Sequence, residues 1–454
     1  MTRAPIASLR PSSPARRLRP LLGLILAAVT GAGLGACSSP GSTDAFAGFG
    51  PRPELPAPSG GILPTLNAAR AVGWPKDARP VAPEGFVVTA FAQGLAHPRW
   101  LLVLPNGDVL LAESSSEPKP AKGVTAAVGN WMQKRSGAAL QSPNRIMLLR
   151  DADGDGVAEF RSEFASNLKR PTGMALVGER LYIALDDALV AGTYRNGQTR
   201  LEGPVTKVAD LPGGPINHHW VKNVVASPDG SRLFVTVGSN SNIAENGMEN
   251  EVNRAAVLTL APDGSGVAVY ASGLRNPNGL AFEPETGVLW TTVNERDMLG
   301  NDLVPDYMTG LKEGAFYGWP YSYFGQTVDE RVKPQRPDLV AKAVRPDYAL
   351  GAHTASLGLA FYTARAFPAA YQGGAFVAQH GSWNRKPLSG YRVVFVPFRD
   401  GRPAGEPQAF LTGFLNARDE AQGRPAGLAV DSRGGLLVAD DAGKTVWRVA
   451  PASR

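Results

Sequence analysis

The stretch that decides the fold runs from Arg424 to Asp441 and reads RPAGLAVDSRGGLLVADD. A proline-containing entry leads into a short apolar run, Gly427 to Val430. Asp431-Ser432-Arg433-Gly434 then supplies residues that reverse a chain at little conformational cost. A second apolar run, Leu436 to Ala439, follows. Both runs are too short for helices and nearly all apolar, the pattern of strands buried on both faces.

The same module recurs along the chain. Its other copies are HPRWLLVLPNGDVLLAES from His97, RPTGMALVGERLYIALDD from Arg170 and HWVKNVVASPDGSRLFVTVGS from His219. Two more are RNPNGLAFEPETGVLWTTVNE from Arg275 and ASLGLAFYTARAFPAAYQGGAFVAQHGS from Ala355. Six copies over residues 81–454 give each unit ~62 residues, more than the ~40–50 of a minimal propeller blade, so long loops are expected. The pattern predicts an all-β chain: a six-bladed β-propeller with blades of four antiparallel strands, the inner hairpin of each being the visible repeat. Strands near Phe86-Val87-Val88 and Val446–Val449 are expected to share one blade and close the ring.

Residues 1–36 read as an export signal. Five arginines and no acidic residue accompany an apolar run from Leu21 to Val29, shorter than the ~20 residues a bilayer-spanning helix needs. Leu34-Gly35-Ala36-Cys37 has the form of a lipobox, which makes Cys37 the expected lipidation site. It is the chain's one cysteine, so no internal disulfide is possible. Two or more acyl chains give a stable anchor, so the protein is expected to be exported and held by lipid at a membrane facing the periplasm or exterior. Ser38 after the cysteine points to the outer membrane in a cell that has one. Residues 37–80, rich in Pro, Gly and Ala, read as a tether, and 81–454 as the propeller. Removing the five leader arginines from the formal charge of +6 leaves about +1, which excludes a whole-chain electrostatic case for a nucleic-acid partner.

The chain has five histidines: His97, His218, His219, His353 and His380. Four precede an inner strand of a repeat and His380 follows one, so loops at one end of the axis are expected to gather them. Arg170, Arg275 and Arg424 open repeats in the same way, and Arg385 follows His380. A ring of guanidinium groups with histidines suits a planar, multiply anionic ligand.

INHHWVKNVVASPDG, SGLRNPNGL, KEGAFYGWP, HGSWNR and GRPAGLAVDSRGGLLVADD together resemble the soluble PQQ-dependent sugar dehydrogenases, in particular the sorbosone and aldose sugar dehydrogenase branch, over roughly residues 85–450. The resemblance implies oxidation of a sugar or sugar-derived alcohol or aldehyde, with PQQ and Ca²⁺ as cofactors. Counting nine residues back from Pro228 places the family's catalytic base at His219. It implies cofactor contacts at Arg275, Asn276, Arg385, Arg424 and Lys222, although the basic residue at Lys222 arrives one position early. It also implies calcium held by the backbone carbonyls of Glu295 and Arg296, and substrate contacts at His218, His353 and Trp383. A family glutamine is replaced near Pro171-Thr172. PQQ carries three carboxylates and an ortho-quinone, which call for cations and a hard metal, and an imidazole is suited to accept a hydroxyl proton near neutral pH. No Cys-x-x-Cys-His is present, so electrons are expected to pass to a separate acceptor, a quinone or a cytochrome.

Two other readings compete. A calcium-dependent lactonase-like propeller would line its axis with Glu, Asp and Asn, whereas the repeat entries here carry Arg and His. A non-catalytic surface-binding propeller would need no His–Arg set. Asp151-Ala-Asp153-Gly-Asp155-Gly156 resembles the start of a calcium loop, with Ser162 where the twelfth-position glutamate belongs.

Overall fold

In the computed structural model, residues 41–59, 65–116, 130–131, 133–137 and 141–452 are described. The residues read as an export signal, 1–36, and Cys37 lie outside them. Among the described residues no helix is long and apolar enough to cross a membrane.

Six antiparallel sheets are arranged as blades, each led by its repeat. Blade 1 comprises Pro98–Val103, Val109–Glu113, Arg145–Arg150 and Phe160–Ala165. Blade 2 comprises Met174–Val177, Arg180–Ala184, Ala188–Thr193 and Thr206–Asp210. Val224–Ala226, Leu233–Val237, Ala256–Leu260 and Ala268–Ser272 form blade 3. Asn276–Phe282, Leu289–Asn294, Pro305–Gly310 and Tyr348–Ala352 form blade 4. Blade 5 is Ser356–Phe361, Ala375–Gln379, Arg392–Val396 and Gln408–Leu411. In blade 6, Pro425–Val430, Leu436–Asp440 and Thr445–Pro451 are completed by Phe86–Gln93 from the other end of the chain. Val88 pairs with Val449, so the two ends of the repeat region share a blade and hydrogen bonds close the ring.

The turn of the deciding stretch works as its composition implies. Asp431 Oδ1 accepts from the N–H groups of Arg433 and Gly435, and Gly434 takes a φ of 80°, a left-handed conformation natural to glycine. The apolar runs are buried on both faces because each gap between blades holds its own core. Leu148 and Ile183 share the core between blades 1 and 2, and Tyr182 and Val235 that between 2 and 3. Val257 and Leu280 share the core between 3 and 4, and Met308 and Val394 that between 4 and 5. Phe376 and Trp447 share the core between 5 and 6, and Leu437 and Leu111 that across the closure.

Near the axis the strands approach closely through the repeat's glycine. A Cβ on Gly279 would lie 2.6 Å from the Leu357 carbonyl oxygen, on Gly358 2.4 Å from that of Ala426, and on Gly427 2.5 Å from that of Arg99. One on Gly173 would meet the Asn223 backbone at 2.5 Å. Each contact joins one blade to the next.

The segment read as a tether is, where described, part of the fold. Phe49–Gly50 pairs with Leu350 and Ala349 as a fifth strand on blade 4. The Ser59 N–H donates to Leu299 O, that of Asn67 to Trp383 O and that of Val72 to Ala421 O. Trp74 packs edge-on against Trp447 and Phe414, and its indole N–H donates to Asp440. Composition suggested a spacer; specific hydrogen bonds to loops of blades 4 to 6 fix these residues instead.

Gly427→Val is expected to destabilise the protein by about 1–3 kcal/mol through overpacking against blade 1. The readout is the urea unfolding midpoint, and an unchanged midpoint would show that the close approach carries no constraint.

Candidate active site

The loops at the ends of blades 3, 4 and 5 enclose a cavity of about 450 Å³, within the usual range for small-molecule sites. His218, His219, Arg275, Asn276, His353 and Trp383 all line it. His219 Nδ1 lies 2.9 Å from Ser239 O. A carbonyl oxygen only accepts, so Nδ1 carries the proton and Nε2 keeps the lone pair. Burial, reinforced by the Arg275 charge, pushes His219 down to about 3, so the imidazole is neutral at ordinary pH. The arrangement needs Gly238, where a Cβ would stand 2.4 Å from His219 Cβ and 2.5 Å from Asn276 Oδ1.

Asp297 is the hub of the cavity wall. Its Oδ2 accepts from an Arg275 NH2 at 2.8 Å and its Oδ1 from Asn384 Nδ2 at 2.8 Å, while His353 Nδ1 stands 3.6 Å away. Burial works to raise Asp297, but Arg275 and His353 outweigh it and hold the carboxyl below its ordinary range. Burial likewise works against a charge on His353, but Asp297 prevails and its pKa is raised. His353 Nε2 donates to Gly300 O at 2.8 Å.

Among the described residues, these bonds leave two amide oxygens unsatisfied. Asn384 must turn its NH₂ to the acceptor-only Asp297, so Asn384 Oδ1 is buried without a partner. Asn294 commits its NH₂ to Ser356 O and Asp306. That presents Asn294 Oδ1 to Asn276 Nδ2 at 3.3 Å and leaves Asn276 Oδ1 buried without a partner. An unpaired buried acceptor is costly, and both residues line the cavity, so the wall suits a hard cation or a hydroxyl-rich ligand. Glu295 and Asp306 add further oxygens; burial pushes them up to about 7 and about 6. A bound cation would favour the ionised form of both carboxylates.

The remaining expected residues stand elsewhere. Arg385 is turned from the cavity: its guanidinium donates to Asn301 O, Pro387 O, Ser42 O and Asp302. Arg424 donates to the carbonyls of His380 and Gly381 over the Tyr391 ring. Lys222 is buried behind the His219 loop, with Nζ 3.5 Å from His219 O; burial, then Arg254, pushes it down to about 7. The histidines form two groups, not one ring. His97 and His380 gather with Arg99 around buried Asp441, at 3.6, 2.8 and 2.5 Å. The Glu295 carbonyl, expected on calcium, accepts from Arg275 NH1 at 2.6 Å, and a guanidinium there opposes a second cation. The Arg296 side chain is spent on Asp329 and Asp297 O. The unpaired oxygens on this wall are the side-chain Oδ1 atoms of Asn276 and Asn384, while the Asp297 and Asp306 carboxylates accept from protein donors. Sequence reasoning missed Asp297, Asp306 and Asn384, although NERD and HGSWNR carry two of them.

Two further features lie apart. A cleft of about 1030 Å³ beside Trp74 and Lys444 lacks the histidine–amide convergence. At the opposite end of the propeller, Asp151, Asp153, Asp155 and Glu159 cluster, with Glu159 rather than Ser162 as the added acid. Arg433 NH1 lies 2.7 Å from Asp151 there, placing a positive charge on the cluster.

The fold defines a six-bladed propeller of the kind seen in sugar dehydrogenases. It is similar to the holo form of the pyranose dehydrogenase PQQ domain from Coprinopsis cinerea, at 19% identity over 84% of this chain and 100% of that one, TM-score 0.66. It is also similar to a calcium structure of a carbohydrate-active enzyme of family AA12 from Trichoderma reesei, at 17% identity over 86% and 99%, TM-score 0.67. The PQQ-bound aldose sugar dehydrogenase of Streptomyces coelicolor matches at 17% identity over 82% and 99%, TM-score 0.54. Residues 182–384, which contain most of the cavity wall, match the glucose/sorbosone dehydrogenase family model, and residues 328–452 a TrAA12-like model. The family resemblance read from the sequence is thereby borne out.

Arg275→Ala would leave Asp297 without its main counter-charge. Removing one partner of a buried pair typically costs about 3–5 kcal/mol, so the cofactor-free protein is expected to lose roughly that much stability in denaturant unfolding. A variant as stable as the parent would show that Asp297 does not depend on Arg275.

Proposed function

We propose that the protein is a PQQ- and calcium-dependent dehydrogenase of a sugar or sugar-derived alcohol or aldehyde, with His219 as catalytic base. The observation that carries this reading is a neutral imidazole with Nδ1 fixed on Ser239 O and Nε2 left unprotonated, on a cavity wall with two unpaired amide oxygens. The family match over residues 182–384 supports the reaction class.

Toward a cation, the wall offers the unpaired Oδ1 atoms of Asn276 and Asn384, and the Glu295 carboxyl lines the same cavity. Toward an anionic cofactor, Arg275 and His353 supply positive charge on that wall, with their N–H groups already bonded within the protein. When bound, PQQ supplies a two-electron acceptor for the hydride leaving the substrate carbon. The protein's part is to hold the substrate hydroxyl against His219 Nε2, which takes its proton. Ser239 fixes the tautomer and ring plane. His218, exposed on the cavity rim, and Trp383 line the same cavity, and in this reading they contact the sugar. Electrons then leave to a separate acceptor.

The oxygen-rich wall also favours a second reading, a calcium-dependent hydrolase acting on a lactone. A substrate panel separates the two. The first reading expects dye-linked sugar oxidation only with PQQ and Ca²⁺ together; the second expects hydrolysis with Ca²⁺ alone. Under the first, His219→Ala is expected to keep cofactor and lose on the order of 10²–10⁴-fold in turnover. His218→Ala should mainly raise KM. A nearly dead His218→Ala beside an active His219→Ala, both loaded, would reverse the assignment.

We also propose that the protein is lipid-anchored through Cys37. Cys37→Ala is expected to release folded protein from membranes, and its retention in washed membranes would argue against the anchor.

A further inference from the structure

We propose that the cavity-bearing face of the propeller is the face that lies against the membrane surface. This rests on the lipid-anchor reading of Cys37 and extends it to an orientation.

The first observation is where the described chain begins. The Gly41 N–H donates to Lys386 O at 2.8 Å. The Ser42 N–H donates to the Asp302 carboxylate at 2.9 Å, and Arg385 donates to Ser42 O at 2.8 Å. Lys386 follows Trp383 and Asn384 of the cavity wall by two or three positions in the same loop. The start of the arm, Gly41 and Ser42, is therefore fastened beside the cavity, before Phe49–Gly50 joins the outer edge of blade 4. Cys37 is four residues before Gly41, a reach of at most ~14 Å for a fully extended chain. An acylated cysteine lies at the lipid–water boundary, so Gly41 and the rim it is bound to lie within that distance of it.

The second observation is independent of the arm. Six large apolar side chains stand exposed on loops around the cavity: Leu66, Trp131, Ile216, Met248, Val252 and Trp383. Trp383 lines the cavity itself, and Leu66 precedes Asn67, whose N–H is bound to Trp383 O. Trp131 shares its segment with Gln133, also a lining residue. Ile216 O accepts from Asn240, whose N–H donates to Glu251, between Met248 and Val252. Val252 is 67% exposed and Trp131 59%. Tryptophan is favoured at membrane–water interfaces, where its ring meets apolar and polar surroundings together. Apolar residues are exposed at the far end too, among them Phe160 and Val288, but no anchor begins there. Arm and apolar rim together favour a bilayer surface as the occupant of this face over a soluble protein partner. Substrate and electron acceptor would then approach the cavity through the layer between protein and lipid headgroups.

The test uses the acylated full chain on phosphatidylethanolamine–phosphatidylglycerol vesicles. Because acylation consumes Cys37, a cysteine introduced by Val252→Cys or Met248→Cys on the cavity rim, or by Val288→Cys at the far end, is the single free thiol for a nitroxide label. Relaxation by a water-soluble nickel chelate is measured before and after vesicle binding. The rim labels are expected to lose several-fold in relaxation by the chelate while the Val288→Cys label is unchanged. Equal relaxation at both ends of vesicle-bound protein, or protection of Val288→Cys alone, would overturn the orientation and leave the anchor standing. Protection of the rim labels in solution by an added soluble protein, with none on vesicles, would overturn the bilayer as occupant. Protein that does not stay with the vesicles would remove the anchor reading and this inference with it.

Discussion

The structure depends on how closely inner strands can approach around the propeller axis. At four of the six junctions a glycine stands where a Cβ would lie 2.4 to 2.6 Å from the next blade's backbone. That approach draws the blade-entry loops together at one end, and the cavity exists because those loops converge. The two copies without the glycine place Trp100 and Asn223 there. Asn223 instead receives Gly173 of blade 2 against its own backbone. The ring is asymmetric in the same region where its chemistry differs from blade to blade.

The cavity in turn is organised by one carboxylate. Asp297 binds Arg275, Asn384 and His353 at once, and those bonds dictate which atoms are left over for a ligand. With its NH₂ committed to Asp297, Asn384 can present only its oxygen. Arg275 is committed to Asp297, Asn242 and the Glu295 carbonyl, so its positive charge reaches the cavity while its N–H groups are already used. This wall resembles a cation site flanked by a base more than a ring of free guanidinium groups.

The fold was legible because burial on both faces writes itself as apolar runs between turn residues. The count back from Pro228 to His219 came from the family resemblance, and the residue it selects lines the cavity. What a repeat fixes is where a residue enters a loop, not where its side chain ends. Arg275, Arg385 and Arg424 were expected together, yet Arg385 turns to Asp302 and the N-terminal arm, and Arg424 to the carbonyls of its own neighbourhood. A guanidinium reaches several ångströms and takes the nearest unsatisfied acceptors, which sequence spacing does not reveal. The N-terminal segment was misread for a related reason. Its Pro, Gly and Ala content says little of its own, and its placement comes from partners such as Trp383, Ala421 and Asp440 that lie hundreds of residues away.

We propose that this wall holds a calcium-dependent quinone cofactor. Calorimetric titration of PQQ into metal-stripped protein, with and without Ca²⁺, tests it most directly. Saturable binding of one PQQ per chain is expected with Ca²⁺ present, weakened at least tenfold without it and weakened again in Asn384→Ala. Binding indifferent to Ca²⁺, or no saturable heat under either condition, would contradict it.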